Sequence, residues 1–331
     1  MSAERSPRAI GVMFALLALI WGSSFLLIKV ALDGLSPAQV TLGRLVCGAL
    51  ALAGVMVVTR RRWPRGAAVW GHLTAISIVL CVAPFLLYSW AGQYIPSGLS
   101  SIYNATTPVT TLLVGLALLP DERLTRRRTV GLLAAGAGVV VVAAPWSALA
   151  GYRGENVLLA QAACLGATTC YGLAFVYNRR ILRGYDYDPT TIAASQVGVA
   201  AVIMLVLAPA VAATPVALTV PVTASIVVLG AVGTGLAYVW NTTIIRAWGA
   251  APASTVTYLT PVVGVALGVL VLGEELHWNE PVGAVLVILG VLVSQGRLVA
   301  PRPRATPPGP VGEHGAGQAR PDGLAPDTRD R

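Results

Sequence analysis

The chain has 331 residues and a formal net charge of +9, from 23 Lys+Arg against 14 Asp+Glu. Hydrophobic residues make up 56% of it and charged residues only 11%, against roughly 25% charged in a water-soluble domain. This excludes a pair of soluble domains and, outside the C-terminal tail, a disordered chain.

A helix crossing about 30 Å of hydrocarbon at 1.5 Å per residue needs about 20 apolar residues. Ten stretches predict such helices, over 9–31, 37–58, 68–90, 97–119, 129–146, 154–177, 190–212, 223–244, 250–272 and 281–298. The connections are short and leave no room for a soluble domain. The first stretch follows Met1–Arg8 as a signal peptide would. It is too long for an h-region, lacks a clear cleavage site, and is followed by nine more.

Basic residues fall on alternate connections. Arg5 and Arg8, Arg60–Arg62 and Arg65, Arg123 and Arg126–Arg128, Arg179, Arg180 and Arg183, Arg246, and six arginines from Arg297 onward account for 20 of the 23. The opposite connections carry Arg153 alone, while Lys29 and Arg44 lie within or near spans. Under the positive-inside rule both termini are cytoplasmic. The positive charge then reflects membrane topology, so a lipid bilayer rather than nucleic acid is the expected partner. Cys47, Cys81, Cys164 and Cys170 all fall in spans without metal-ligand spacing and read as small buried apolar residues. No metal or cofactor is expected. The tail, with Pro307-Pro308-Gly309-Pro310, reads as a disordered cytoplasmic extension.

The chain repeats itself. Thr107-Pro108 matches Thr260-Pro261 and Gly115 matches Gly268 at an offset of 153; Glu122, Gly131 and Gly138 match Glu274, Gly283 and Gly290 at 152. Trp21-Gly22, Phe25 and Lys29 align with Tyr171-Gly172, Phe175 and Arg179 at 150. Each half holds five spans, an odd number, so the halves enter the membrane from opposite sides. Such an inverted repeat lets two halves exchange conformations about a site between them, as transporters require. The expected division is a cytoplasmic N-terminus at 1–8, a first repeat at 9–146, a second at 154–298 and a tail at 299–331.

Trp21-Gly22-Ser23-Ser24-Phe25 with Lys29 resembles the opening motif of EamA-type transporters of the drug/metabolite transporter superfamily. Pro108 with Asp121-Glu122-Arg123-Leu124, and Pro261 with Gly273-Glu274-Glu275-Leu276, are similar to that family's paired motif. Pro120-Asp121 departs from it, standing where a glycine usually precedes the glutamate. The resemblance spans about residues 10–297. It implies an all-α membrane protein of ten helices in two inverted five-helix repeats, an inner-membrane location, and export of amino acids or related metabolites.

Ionisable groups inside a membrane are costly and mark function by default. All fourteen carboxylates fall in loops, tails or helix ends, which argues against a membrane-embedded glutamate for proton exchange and against paired catalytic aspartates. No HExxH or GxxxxGK[ST] motif occurs, so no enzyme and no direct ATP coupling is expected. The intramembrane charges are Lys29 and Arg44. The expected substrate pathway comprises Trp21, Ser23, Ser24, Tyr103, Asn104, Thr107, Gln161, Tyr238, Asn241 and Tyr258, with Tyr88, Trp90, Tyr171 and Thr257 as further polar or aromatic groups in spans. Pro108 and Pro261 each free a carbonyl one turn back for a ligand or a bend, and together with Glu122 and Glu274 are expected hinge or gate residues. Gly264 and Gly268 form a GxxxG packing face.

The leading expectation is a secondary transporter for a small molecule working by alternating access, for which a monomer suffices in principle. One alternative is a carrier of larger anions such as nucleotide-sugars or sugar phosphates, which needs two cations converging at the midplane. Another is a non-transporting scaffold, which predicts an apolar interior.

Overall fold

A computed structural model describes residues 7–120, 122–144, 146, 156–180, 187–248, 253 and 255–296. The described elements are all helical. They are α1 (Pro7–Ala31), α2 (Pro37–Val58), α3 (Ala67–Ala91), α4 in two pieces (Ser97–Asn104 and Thr107–Leu118), and α5 (Arg126–Ala143). The second half holds α6 (Val157–Arg180), α7 (Pro189–Val211), α8 (from Val220 to Trp248), α9 (Val256–Leu272) and α10 (Asn279–Ser294). The expected tail and most of the N-terminal segment lie outside the described residues.

Helix starts follow local chemistry. Ser36 caps α2 in a capping box with Gln39, and Pro37 supplies a first residue with preset φ. Asp188 caps α7 ahead of Pro189, Thr125 caps α5, and Thr219 caps α8. Gly273, at φ +66°, ends α9 in the left-handed region.

Six helices, α1, α2, α3, α6, α7 and α8, are long and apolar enough to cross a membrane. Among the other expected spans one is broken. The span expected at 97–119 breaks at Ala105-Thr106, just before the proline that cannot donate to a helix ladder. α5 begins and ends three residues earlier than expected, and α10 begins two and ends four residues earlier.

The packing repeats between the halves. α1 lies on α9 as α6 lies on α4; α1 lies on α8 as α6 lies on α3; α2 lies on α8 as α7 lies on α3. The remaining main pairs join equivalents, α2 with α7, α4 with α9 and α5 with α10. Small residues make the matched approaches possible. Gly22 faces Val263 and the Thr260 carbonyl, and its counterpart Gly172 faces the backbone of Thr110 and Thr111.

α3 and α8 also share a backbone irregularity that the sequence reading missed. Each widens into a π-helical stretch, Ile78–Val82 in α3 and Val228–Leu236 in α8, and the two stretches start 150 residues apart, the offset seen in the sequence. In α3 the stretch precedes Pro84, whose ring cannot sit in an unbroken α ladder. In α8 the position matching Pro84 is Thr234, whose hydroxyl donates to the Leu229 carbonyl at 3.2 Å.

Candidate functional site

The two π-helical stretches flank Arg44. Seven residues into α2, its Nε donates to the Thr234 hydroxyl at 3.0 Å, and its guanidinium carbon lies 3.7 Å from the centre of the Phe85 ring. Cys81, Tyr171 and Tyr238 are its electrostatic neighbours. A hydroxyl and an aromatic face thus hold the fork in a fixed plane. Arg44, Tyr171 and Tyr238 are each only partly buried despite their places within helices.

An aromatic wall extends from this centre. Tyr171 lies 6.3 Å from Tyr88 and 6.5 Å from Phe175 between ring centres, and Phe25 meets Tyr88 edge-on at 5.1 Å. Tyr88 also donates to the Asn104 side-chain oxygen at 3.3 Å. The centre therefore draws on α1, α2, α3, α4, α6 and α8, from both halves. It brings Asn104 and Tyr238 of the expected pathway together with Arg44, one of the two expected intramembrane charges. Phe25, Phe85 and Phe175 were missed because a phenylalanine in a span carries no polar signal.

The other expected residues lie elsewhere. Trp21 packs with the α1–α8 cluster that includes Leu17 and Ile244. Ser23 and Ser24 both donate to the Ile20 carbonyl, and Ser24 sits beside Gly233 in the α8 π-stretch. Tyr103 is fully buried in the cluster around Tyr88 and Cys164. Gln161 is buried in α6, and neither atom of its amide has a hydrogen-bond partner among the described residues. Asn241 is partly buried in α8. Tyr258 packs between Ala135 and Val291, with its hydroxyl donating to Gln295.

At both prolines the carbonyl one turn back is already taken. Pro108 leaves the Asn104 carbonyl without its helical donor, and the Thr107 hydroxyl fills the gap at 2.7 Å. In the second half Pro261 strands the Thr257 carbonyl, and the Thr260 hydroxyl fills it at 2.9 Å. The freed carbonyls are occupied by the threonine that precedes each proline, so the Thr-Pro pair is one structural unit.

Lys29 and Arg44 do not converge. Lys29 donates to the Gly92 and Ile95 carbonyls at 2.8 and 3.1 Å, fixing the turn between α3 and α4. Beside that turn Glu274 accepts from the Ser97 and Gly98 backbone N–H groups at 2.6 and 3.0 Å and from the Ser97 hydroxyl at 3.0 Å. Its carboxylate thus caps the first piece of α4 from across the repeat boundary. Gly264 and Gly268 face Ser101 and Ser97, so the GxxxG is the surface on which this contact forms.

At the arginine-rich end the matching Glu122 is bound otherwise. It accepts from Arg128 and Arg179, each at 2.7 Å. The Arg179 hydrogen bond and then that of Arg128 hold its carboxyl below the usual carboxylate range. Arg179 is the counterpart of Lys29, so each half keeps a cation near the other half's glutamate position. Two grooves flank the second piece of α4 here, of about 310 and 290 Å³. Arg127 and Arg128 line one, Glu122 and Arg179 the other; neither reaches Arg44. Among the described residues no group of three His, Cys, Asp or Glu side chains is placed to hold a metal ion.

Apolar helices, two interlocked repeats and a polar, aromatic centre between them define a multi-pass membrane transporter. The chain belongs to the EamA-like transporter family, whose sequence pattern matches residues 9–144 and again 158–295. It is 28% identical over 295 residues to a "Probable terminal-alkyne amino-acid exporter" of Streptantibioticus cattleyicolor, spanning 87% of this chain and 94% of that one. It is 27% identical over 302 residues to a "Probable amino-acid metabolite efflux pump" of Salmonella typhimurium, spanning 86% and 94%. An "Uncharacterized transporter" of Archaeoglobus fulgidus is 23% identical, spanning 85% and 97%. One solved crystal structure superposes with a TM-score of 0.60 at 18% identity, over 88% of this chain and 98% of that one, and so shares the fold.

Proposed function

We propose that this chain exports amino acids or related small metabolites across the cell membrane by alternating access. The arginine-rich end faces the cytoplasm, and the repeats at 9–146 and 154–298 exchange conformations about Arg44. The observation that carries the reading is the unequal use of Glu122 and Glu274. Two halves of an inverted repeat in different conformations bring their equivalent residues to different partners. Here Glu274 clamps the first piece of α4 and seals the Lys29 end. Glu122 is retained by arginines, beside grooves at the other end. In the opposite state Glu274 releases Ser97, and Glu122 takes up the matching contact before α9.

The printed names of the relatives support amino-acid-like substrates and outward movement. The separation of Lys29 from Arg44 disfavours a carrier of multiply charged sugar nucleotides. The permanent cation at the centre, with only tyrosines and a cysteine as electrostatic neighbours, favours exchange or facilitated movement over proton coupling. Counterflow of labelled amino acids in proteoliposomes, with and without a pH gradient, tests this. The expected result is counterflow that ignores the gradient. Absence of specific flux across a broad metabolite panel overturns the transporter reading at the level of substrate class and export.

A further inference from the structure

A guanidinium does not lose its proton in proteins, so Arg44 is positive in every state of the transport cycle. Its Nε is taken by Thr234 and one face by Phe85. No carboxylate stands among its electrostatic neighbours, which are Tyr171, Tyr238 and Cys81. Its two terminal amino groups meet no protein acceptor among the described residues. They belong to a partly buried side chain set between two π-helical stretches, irregularities that recur at functional sites. A cation in a low-dielectric interior with no counter-ion is unstable unless an anion completes it. Thr234 and Phe85 fix the fork's plane, and a fixed fork with two free donors matches one carboxylate.

We infer that Arg44 is the carboxylate-binding residue of a site for amphipathic monocarboxylates, which reads the carboxylate and an apolar side chain and does not require the α-ammonium group. This rests on the proposed function and narrows its substrate class. The tyrosine and phenylalanine rings beside Arg44 supply the apolar wall. An ammonium group finds no anionic partner there. Amino acids and their N-acylated derivatives are therefore ligands alike, and the corresponding amides and amines are not.

The test uses matched sets on leucine, phenylalanine and tryptophan frames: the amino acid, its N-acetyl derivative, its amide and its decarboxylated amine. Thermal stabilisation of the detergent-solubilised wild type gives binding, and competition in counterflow gives transport. The carboxylates are expected to bind at least about tenfold better than amides or amines, from the loss of a charge-assisted bidentate contact. Arg44→Gln is expected to abolish the preference, and Thr234→Val to weaken it, because Thr234 orients the guanidinium. Equal binding of amides and acids by the wild type overturns the inference, as does a failure of every carboxylate to bind. The wild-type comparison needs no variant, so an unfolded Arg44→Gln protein does not spare it. Carboxylate-selective binding without any flux overturns the transport reading and leaves the site standing. Flux without carboxylate preference does the reverse.

Discussion

The Glu274 carboxylate lies 2.6 Å from the backbone N–H of Ser97 and 3.0 Å from that of Gly98. Three donors converge on one carboxylate at a helix start, and each charge-assisted contact removed costs about 1.5–3 kcal/mol. Glu274→Gln can keep only part of it. The expected outcome is a shift away from the conformation sealed at the Lys29 end. A cysteine placed at Ser97 in a background without the four native cysteines reports it. Its labelling by a membrane-impermeant thiol reagent should rise severalfold with Glu274→Gln. Unchanged labelling refutes Glu274 as a latch.

Glu122 provides the matching test through pH. Its hydrogen bonds to Arg179 and Arg128 lower its pKa from the usual carboxylate value. A depressed folded-state pKa contributes stability that is fully present above the unfolded value, about 4.3 for Glu, and is lost as pH falls through the lower folded value. The gap in melting temperature between wild type and Glu122→Gln should therefore be constant from about pH 5 to 8 and close only below about pH 4. A gap that closes near neutrality counts against the assignment.

The Thr-Pro units make a prediction with an internal control. Thr107→Val keeps the side-chain shape and leaves the Asn104 carbonyl unsatisfied, at a cost of about 1–3 kcal/mol. Pro108→Ala restores the backbone donor that the carbonyl lacks. The double variant is expected to melt above Thr107→Val alone, a coupling that thermal unfolding in detergent measures. The pair Thr260→Val and Pro261→Ala should behave alike. Additive losses would show that the threonines do something other than heal the helix.

The course of the chain was legible because lipid leaves the sequence little freedom. Apolar length marks a span, arginine marks its end, and the paired motifs mark two halves. Detail was lost where one residue changes the backbone. Pro108 announced a break, but nothing in the sequence said that Thr107 would occupy the stranded carbonyl. The α8 π-stretch was hidden because Thr234 fills the position where α3 has Pro84. The centre was read only in part, since Arg44, Asn104 and Tyr238 carry polar signals while Phe85 and Phe25 do not. Tyr258, equally prominent in sequence, packs with Ala135 and Val291 instead, because which face of a helix turns inward depends on its neighbours.

The α5–α10 pair supplies the last prediction, and here sequence and structure meet at single glycines. Gly131 and Gly138 match Gly283 and Gly290 in the repeat, and in the fold they are the surfaces by which the two helices touch. A Cβ added at Gly138 would lie 2.7 Å from the Val287 nitrogen and 2.8 Å from the Gly283 carbonyl, backbone atoms that cannot step aside. Gly136, on the same helix, has nothing within 4 Å. Gly138→Val should therefore separate the backbones, with a cost of about 1–3 kcal/mol or more from overpacking, and should reduce the yield and the melting temperature of monodisperse protein. Gly136→Val should leave both near wild type, since it changes the same helix without meeting a neighbour. Equal tolerance at the two positions would mean that the helices are not held by direct backbone contact, and that α5 and α10 are free to slide as the halves exchange.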